Sequence, residues 1–130
     1  MTLTELAAQY YGNQKKNCAE AILLASNDYY GLGLTQEDAL LLVGFGGGIG
    51  CGRICGCLAG AVAVLGKLFA ARPDFRNLCA GFVTAFETEM GCGSGNCADI
   101  TPKYKTPETR CLAAVEKAAG ILDAYIAANR

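Results

Sequence analysis

Five of the eight cysteines in this 130-residue chain lie in two glycine-rich stretches: Cys51, Cys55 and Cys57 in FGGGIGCGRICGCLAGAVAVLG, and Cys92 and Cys97 in MGCGSGNCADI. Glycine frees the backbone on either side of these thiols, so the two clusters can approach one another. With no histidine in the chain, chemistry at such a cluster is sulfur chemistry: a thiolate acting as nucleophile, or soft thiolates acting as metal ligands. Three cysteines fall where helices should begin. Cys18 follows the capping residue Asn17, Cys55 lies near a helix start beside Arg53, and Cys111 follows Thr106, Pro107 and Arg110. The unpaired amides and positive dipole end at such positions favour the thiolate over the thiol. Cys79, between Leu78 and Phe82 in mid-helix, has no such feature and reads as an inert core residue.

Spacing restricts which thiols can cooperate. If the helix carrying Cys55 reaches back to Cys51, the two share a face; Cys57, two residues on, should then point to the opposite side. Neither cluster has the paired CxxC knuckles of a zinc ribbon. The glycines of GFGGGIG follow no strand and precede no Lys-Ser/Thr pair, which argues against a phosphate-binding loop.

The elements that position these thiols read as helices. Leu3 to Tyr11 has helical apolar spacing and stops at Gly12, and Cys18 to Tyr30 is capped by Asn17 and closed by Gly31. Thr35 and Asp38 form a capping-box pattern for a third helix through Leu40, Leu41 and Val43, ended by Gly46 to Gly48. A fourth helix is expected from about Gly52 to Phe69. A fifth starts at Pro73 and carries an apolar stripe of Phe75, Leu78, Phe82, Val83 and Phe86. Gly91 to Thr106 reads as loop, with a helical turn allowed at Cys97 to Ile100, and Thr106 and Pro107 open a last helix to about Ala128. The expectation is a single all-α domain over residues 1–130, a compact bundle of five or six helices. Gly56, Gly60 and Ala63 or Val64 recur at four-residue spacing on the fourth helix, suited to close helix packing inside the chain or to a homodimer contact.

Composition sets the context. A hydrophobic fraction of 52% supplies a core without cross-links, and the formal net charge of −1 gives no electrostatic footprint for nucleic acid. The uncharged run between Arg53 and Lys67 would span roughly 20 Å as a helix against a bilayer core of about 30 Å, so it is read as buried rather than membrane-spanning. MTLTELAAQYYG lacks the basic-then-apolar pattern of a signal peptide, giving the expectation of a cytoplasmic protein whose cysteines are redox-active or metal-binding rather than structural.

The order of Cys18-Ala19-Glu20, FGGGIG at Phe45 to Gly50, Cys55-Gly56-Cys57-Leu58-Ala59-Gly60, Phe86 to Gly91, Cys97 and Cys111 resembles the family named for its C_GCAxxG_C_C cysteine pattern, described as redox-active. The resemblance runs over nearly the whole chain. It maps the family's four cysteines onto Cys18, Cys55, Cys97 and Cys111, with Cys57 standing where the family's CGAxxG segment has alanine and with Cys51 and Cys92 as additional thiols.

Two chemistries fit these residues. In one, a low-pKa thiolate attacks a disulfide or peroxide and a second cysteine resolves the product, as in a thiol-dependent oxidoreductase served by a redox partner protein or a small thiol. Cys55 is the expected attacking thiol, because the helix start and Arg53 favour its anion, with Cys97 or Cys18 resolving and Cys111 completing the set. In the other, Cys18, Cys55, Cys97 and Cys111 hold an iron–sulfur cluster or zinc, with Cys51 and Cys92 as further ligands. Cys51 and Cys92 could also pair with each other if the two glycine-rich segments face one another.

Overall fold

The computed structural model describes residues 1–130 and contains helices and no strands. Helix α1 (Leu3–Ala8) continues into a π turn (Gln9–Asn13), followed by α2 (Cys18–Tyr30), a 3-10 segment (Glu37–Phe45) and a wide turn (Gly48–Gly52). Then come α3 (Gly56–Phe69), α4 (Phe75–Met90), α5 (Cys97–Tyr104) and α6 (Leu112–Asn129). No helix is long and apolar enough to cross a membrane.

Local sequence explains most of these boundaries. Thr2 with Glu5 and Asn17 with Glu20 form reciprocal capping boxes at the starts of α1 and α2, satisfying amides that the first helical turn leaves without partners. Thr35 and Asp38 make the expected reciprocal bonds as well, but they open a 3-10 segment rather than an α-helix. Its inward residues explain the difference: Ala39 and Leu42 are buried and Phe45 packs on the core. That three-residue spacing stacks side chains on one face of a 3-10 helix. Leu40, Leu41 and Val43, the apolar residues through which the third helix was expected to run, are exposed at 60%, 81% and 52%.

Three further boundaries depart from the sequence reading. Helix α3 starts at Gly56 instead of Gly52, because the backbone from Gly47 to Gly50 is left-handed throughout, Ile49 included. Helix α5 replaces the expected loop. Ile100 anchors it in the core at 1% exposure, and Lys103 and Tyr104 both donate to the Met90 carbonyl at the end of α4 (3.0 and 2.8 Å). Residues 106–110 form a closed turn rather than the first turn of α6, with Thr106 and Arg110 exchanging backbone hydrogen bonds of 3.0 and 2.8 Å. The all-α class is therefore as expected, with more helical segments than five or six.

The core is one cluster to which every α-helix contributes, with Leu3, Leu24, Leu65, Phe82, Ile100 and Leu122 at 1% exposure or less. Burying side chains of this size is worth roughly 1.5–3 kcal/mol each. The small-residue stripe of α3 is used within the chain: Gly60 lies against the Ala19 backbone of α2, where a Cβ would come within 2.7 Å of the Ala19 carbonyl oxygen. One core position is imperfect. Ser26 on α2 is fully buried and its hydroxyl has no partner, so Ser26→Ala is expected to leave stability unchanged or raise it by up to about 1 kcal/mol. Urea unfolding would measure this, and a loss of more than that amount would show a partner for the hydroxyl.

Candidate functional site

Four helices begin at one place, and each start carries a cysteine. Cys18 is the first residue of α2, Cys55 is the N-cap of α3, Cys97 is the first residue of α5, and Cys111 is the N-cap of α6. All four, with Cys57, line a single cavity of about 210 Å³. A larger cavity of about 560 Å³ lies between α4 and α6, but it is lined by groups such as Glu89, Glu116 and Lys117 and has no thiol.

Backbone pairing brings the two glycine-rich segments together. Residues 53–55 and 95–97 form a short antiparallel bridge, with Cys55 N–H donating to the Gly95 carbonyl (2.8 Å) and Cys97 N–H to the Arg53 carbonyl (2.6 Å). The loop side of the bridge is held by Glu87, which accepts from Gly95 N–H at 3.1 Å, and by Ser94, which accepts from Asn96 N–H at 3.0 Å. Cys111 is placed from the opposite side, where its N–H donates to the Tyr11 hydroxyl at 3.0 Å. Cys18 reaches in over Gly56: a Cβ at Gly56 would overlap the Cys18 sulfur. Cys18 Sγ therefore rests against the one residue that separates Cys55 from Cys57.

Cys57 was expected to point away. That expectation assumed a helix running through Cys51 and Cys55, whereas the Cys55 backbone is at φ −58° and ψ 134° and not helical, so the 100° per residue rule does not apply across it. Cys57 is fully buried and acts as the hydrogen-bond donor of the cluster. Its thiol lowers the Cys18 pKa to about 7, opposed by burial and helped by amides that include those of Ala19 and Gly56. The same donor is the main cause of a lowered Cys55 pKa, against burial and the charge on Cys18, with the Cys57 and Leu58 amides assisting. Cys57 itself is pushed well above its ordinary value, because it donates to both neighbours and is buried. Cys57 thus favours the anion on both Cys18 and Cys55, while charge on Cys18 opposes charge on Cys55.

Arg53, the expected cause of Cys55 acidity, does not line the cavity; the cations that do are Lys105 and Arg110. Burial raises Cys97 and Cys111, and charge on their neighbours raises them further: Cys55, Cys111 and Cys18 for the former, Cys18 and Cys55 for the latter. Those two are the protonated members of the set.

The remaining thiols stand apart. Cys51 is exposed and directs its thiol to the Gly48 carbonyl at 3.5 Å, and Cys92 directs its own to the Met90 carbonyl at 3.4 Å. Neither lines the thiol cavity, and Cys51 cannot share a helical face with Cys55 because no helix joins them. Cys79 is half-buried rather than a core residue, and burial raises its pKa. No three cysteine, aspartate or glutamate side chains stand in an arrangement that would hold one metal ion. The sequence reading set Cys57 aside, named Arg110 only as a neighbour of Cys111, and gave Lys105 and Tyr11 no role at the site. The signals for them were the thiol standing in the motif's alanine position and the basic residues just ahead of Cys111.

A family model described as "Putative redox-active protein (C_GCAxxG_C_C)" matches residues 16–125. An uncharacterized protein of Archaeoglobus fulgidus is 31% identical over 105 residues, a match covering 69% of this chain and 68% of the relative. No solved structure matches.

Proposed function

The chain belongs to the C_GCAxxG_C_C family, and from that membership and the architecture of its cavity we propose that it carries out thiol–disulfide exchange, with Cys18 as attacking thiolate and Cys55 as resolving thiol. The observation that carries the reading is the convergence of five cysteines, four of them at helix starts, on one cavity. Cys18 is preferred over Cys55 as the nucleophile because it is half-buried, whereas Cys55 is only 5% exposed. A pKa near 7 also suits it, since a thiol with a pKa near ambient pH combines a useful thiolate fraction with retained nucleophilicity.

In the reaction, the Cys18 thiolate forms a bond to one sulfur of an oxidising disulfide, and the other sulfur leaves with the electron pair. Consumption of the Cys18 charge removes its repulsion on Cys55 and leaves the Cys57 S–H to hydrogen-bond to that sulfur alone, so that Cys55 gives up its own proton to water. Cys55, as thiolate, then attacks Cys18 Sγ, closes a Cys18–Cys55 disulfide and expels the second half of the oxidant as a thiolate. An external dithiol returns two electrons and restores the reduced pair. Cys97 and Cys111 line the same cavity and are available as a second pair.

The test is peptide mapping after stoichiometric oxidation with a small disulfide. A Cys18–Cys55 linkage reversed by dithiothreitol is expected, and it should persist in Cys51→Ser, Cys92→Ser and Cys79→Ala. If the cavity cysteines stay reduced while Cys51, Cys79 or Cys92 is oxidised, the proposal fails.

A further inference from the structure

We propose that the oxidising substrate of the cavity is a small anion with an electrophilic sulfur, received by Lys105 and Arg110, and not the disulfide of another protein. This rests on reading the cavity as a thiol–disulfide site and specifies what enters it.

Size comes first. At about 210 Å³ the cavity lies below the roughly 300–1,000 Å³ of sites that enclose organic ligands. Disulfide exchange requires the attacking sulfur to line up behind the bond that breaks. Cys18, the attacking sulfur, is half-buried and lies among the residues that line this cavity, so the molecule it attacks must fit there. A second, more open cavity of about 390 Å³ is lined by Thr101, Pro102, Lys105, Thr106 and Pro107. It shares Thr101 and Lys105 with the thiol cavity, so Lys105 borders both.

Charge comes second. Lys105 and Arg110 are the charged side chains lining the thiol cavity other than the thiols themselves, and no carboxylate lines it. The ion pair of this chain is elsewhere, between Arg72 and Asp74, so neither cation is neutralised by an acidic partner. Arg110 is also held in place. Its backbone is left-handed at φ 53°, an uncommon conformation for a non-glycine residue, and the closed turn with Thr106 maintains it. The guanidinium lies over the Tyr11 ring at 4.6 Å, and the same tyrosine's hydroxyl accepts from Cys111 N–H. Beyond the thiols, the lining carries two positive side chains and no negative one, which favours an anion.

Tetrathionate illustrates the step. The Cys18 thiolate bonds to a central sulfur, and thiosulfate leaves with the electrons of the central S–S bond. The Cys55 thiolate then attacks Cys18 Sγ, forms the disulfide and expels a second thiosulfate. Two thiolates and one tetrathionate give one protein disulfide and two thiosulfates, and the leaving anions depart past Lys105.

Stopped-flow oxidation by tetrathionate and by neutral hydroxyethyl disulfide, each normalised to a small free thiol, tests the inference. The protein should favour tetrathionate over the neutral reagent by about ten-fold or more relative to the free thiol, a preference that 0.5 M salt collapses. Lys105→Gln combined with Arg110→Gln should reduce that ratio to the free-thiol value, and Arg110→Lys should retain most of it. A ratio unchanged in the double variant, or faster oxidation by a protein disulfide than by either reagent, overturns the anion assignment alone. Failure of both small reagents to oxidise the cavity overturns the exchange reading with it.

Discussion

Replacing Cys57 with alanine is expected to raise the pH at which Cys18 reacts. Cys18 is half ionised at about pH 7, chiefly because the Cys57 thiol hydrogen-bonds to it; alanine removes the donor and leaves the amides of the helix start to oppose burial alone. The midpoint of Cys18 alkylation by iodoacetamide should climb by at least about one unit, towards the 8.5 of an ordinary thiol. Two effects then compete. At pH 7 the thiolate fraction falls from about half to a few per cent, while the intrinsic nucleophilicity of the more basic thiolate rises with a Brønsted slope of about 0.4–0.5. The fraction wins at neutral pH, so the rate there drops several-fold, but above pH 9 the variant should react faster than the parent. Cys57→Ser, which restores a hydroxyl donor, should move the midpoint back down. A crossover absent from the alanine variant, or a midpoint that serine fails to lower, would show that Cys57 only fills space. Cys18→Ser supplies the converse measurement: with the Cys18 charge gone and the Cys57 proton free, the Cys55 midpoint should fall below its value in the parent.

The largest stability loss is expected from Gly48→Ala. Gly48 is buried and left-handed at φ 64°, and a Cβ there would lie 2.6 Å from Arg53 N, 2.6 Å from Cys97 Cβ and 2.7 Å from Arg53 O. Two of those atoms are backbone, and they belong to the bridge segment whose Arg53 carbonyl accepts from Cys97 N–H. The methyl group cannot be accommodated without moving the bridge that sets Cys55 against Cys97. Gly50 provides the control, since it is equally left-handed at φ 67° and has open space where its Cβ would go. Gly50→Ala should cost about 1–2 kcal/mol from backbone conformation. Gly48→Ala should add about 1–3 kcal/mol of overpacking and slow disulfide formation between the cavity cysteines as the bridge shifts. Equal urea midpoints for the two variants would remove the bridge from this account.

Much of this molecule was legible in the chain. The capping residues Thr2 and Asn17, the stops at Gly31 and Gly91 and the apolar stripe of α4 act within a turn or two of themselves, so local sequence determined those elements and with them the all-α class. The resemblance to the C_GCAxxG_C_C pattern picked out four of the five cysteines that share the cavity, and Cys18, Cys55 and Cys111 were already marked by their helix starts. What was misread depended on partners distant in sequence. Helix α5 exists because Ile100 enters the core and Tyr104 meets the end of α4, contacts that a glycine-rich run containing Pro102 does not announce. Segment 37–45 took three residues per turn because the core accepted Ala39 and Leu42 and left Leu41 in solvent. Cys57 was set aside by a helical-wheel argument, which failed because the bridge to Asn96 holds the preceding residues extended and starts the helix at Gly56. Sequence alone determined which sulfurs the chain carries and that Cys18 opens a capped helix. Only the tertiary structure decided that Cys57 donates to Cys18 and Cys55, and that Lys105 and Arg110 face them, because thiol acidity depends on neighbours a few ångströms away that the fold draws from helices far apart in the chain.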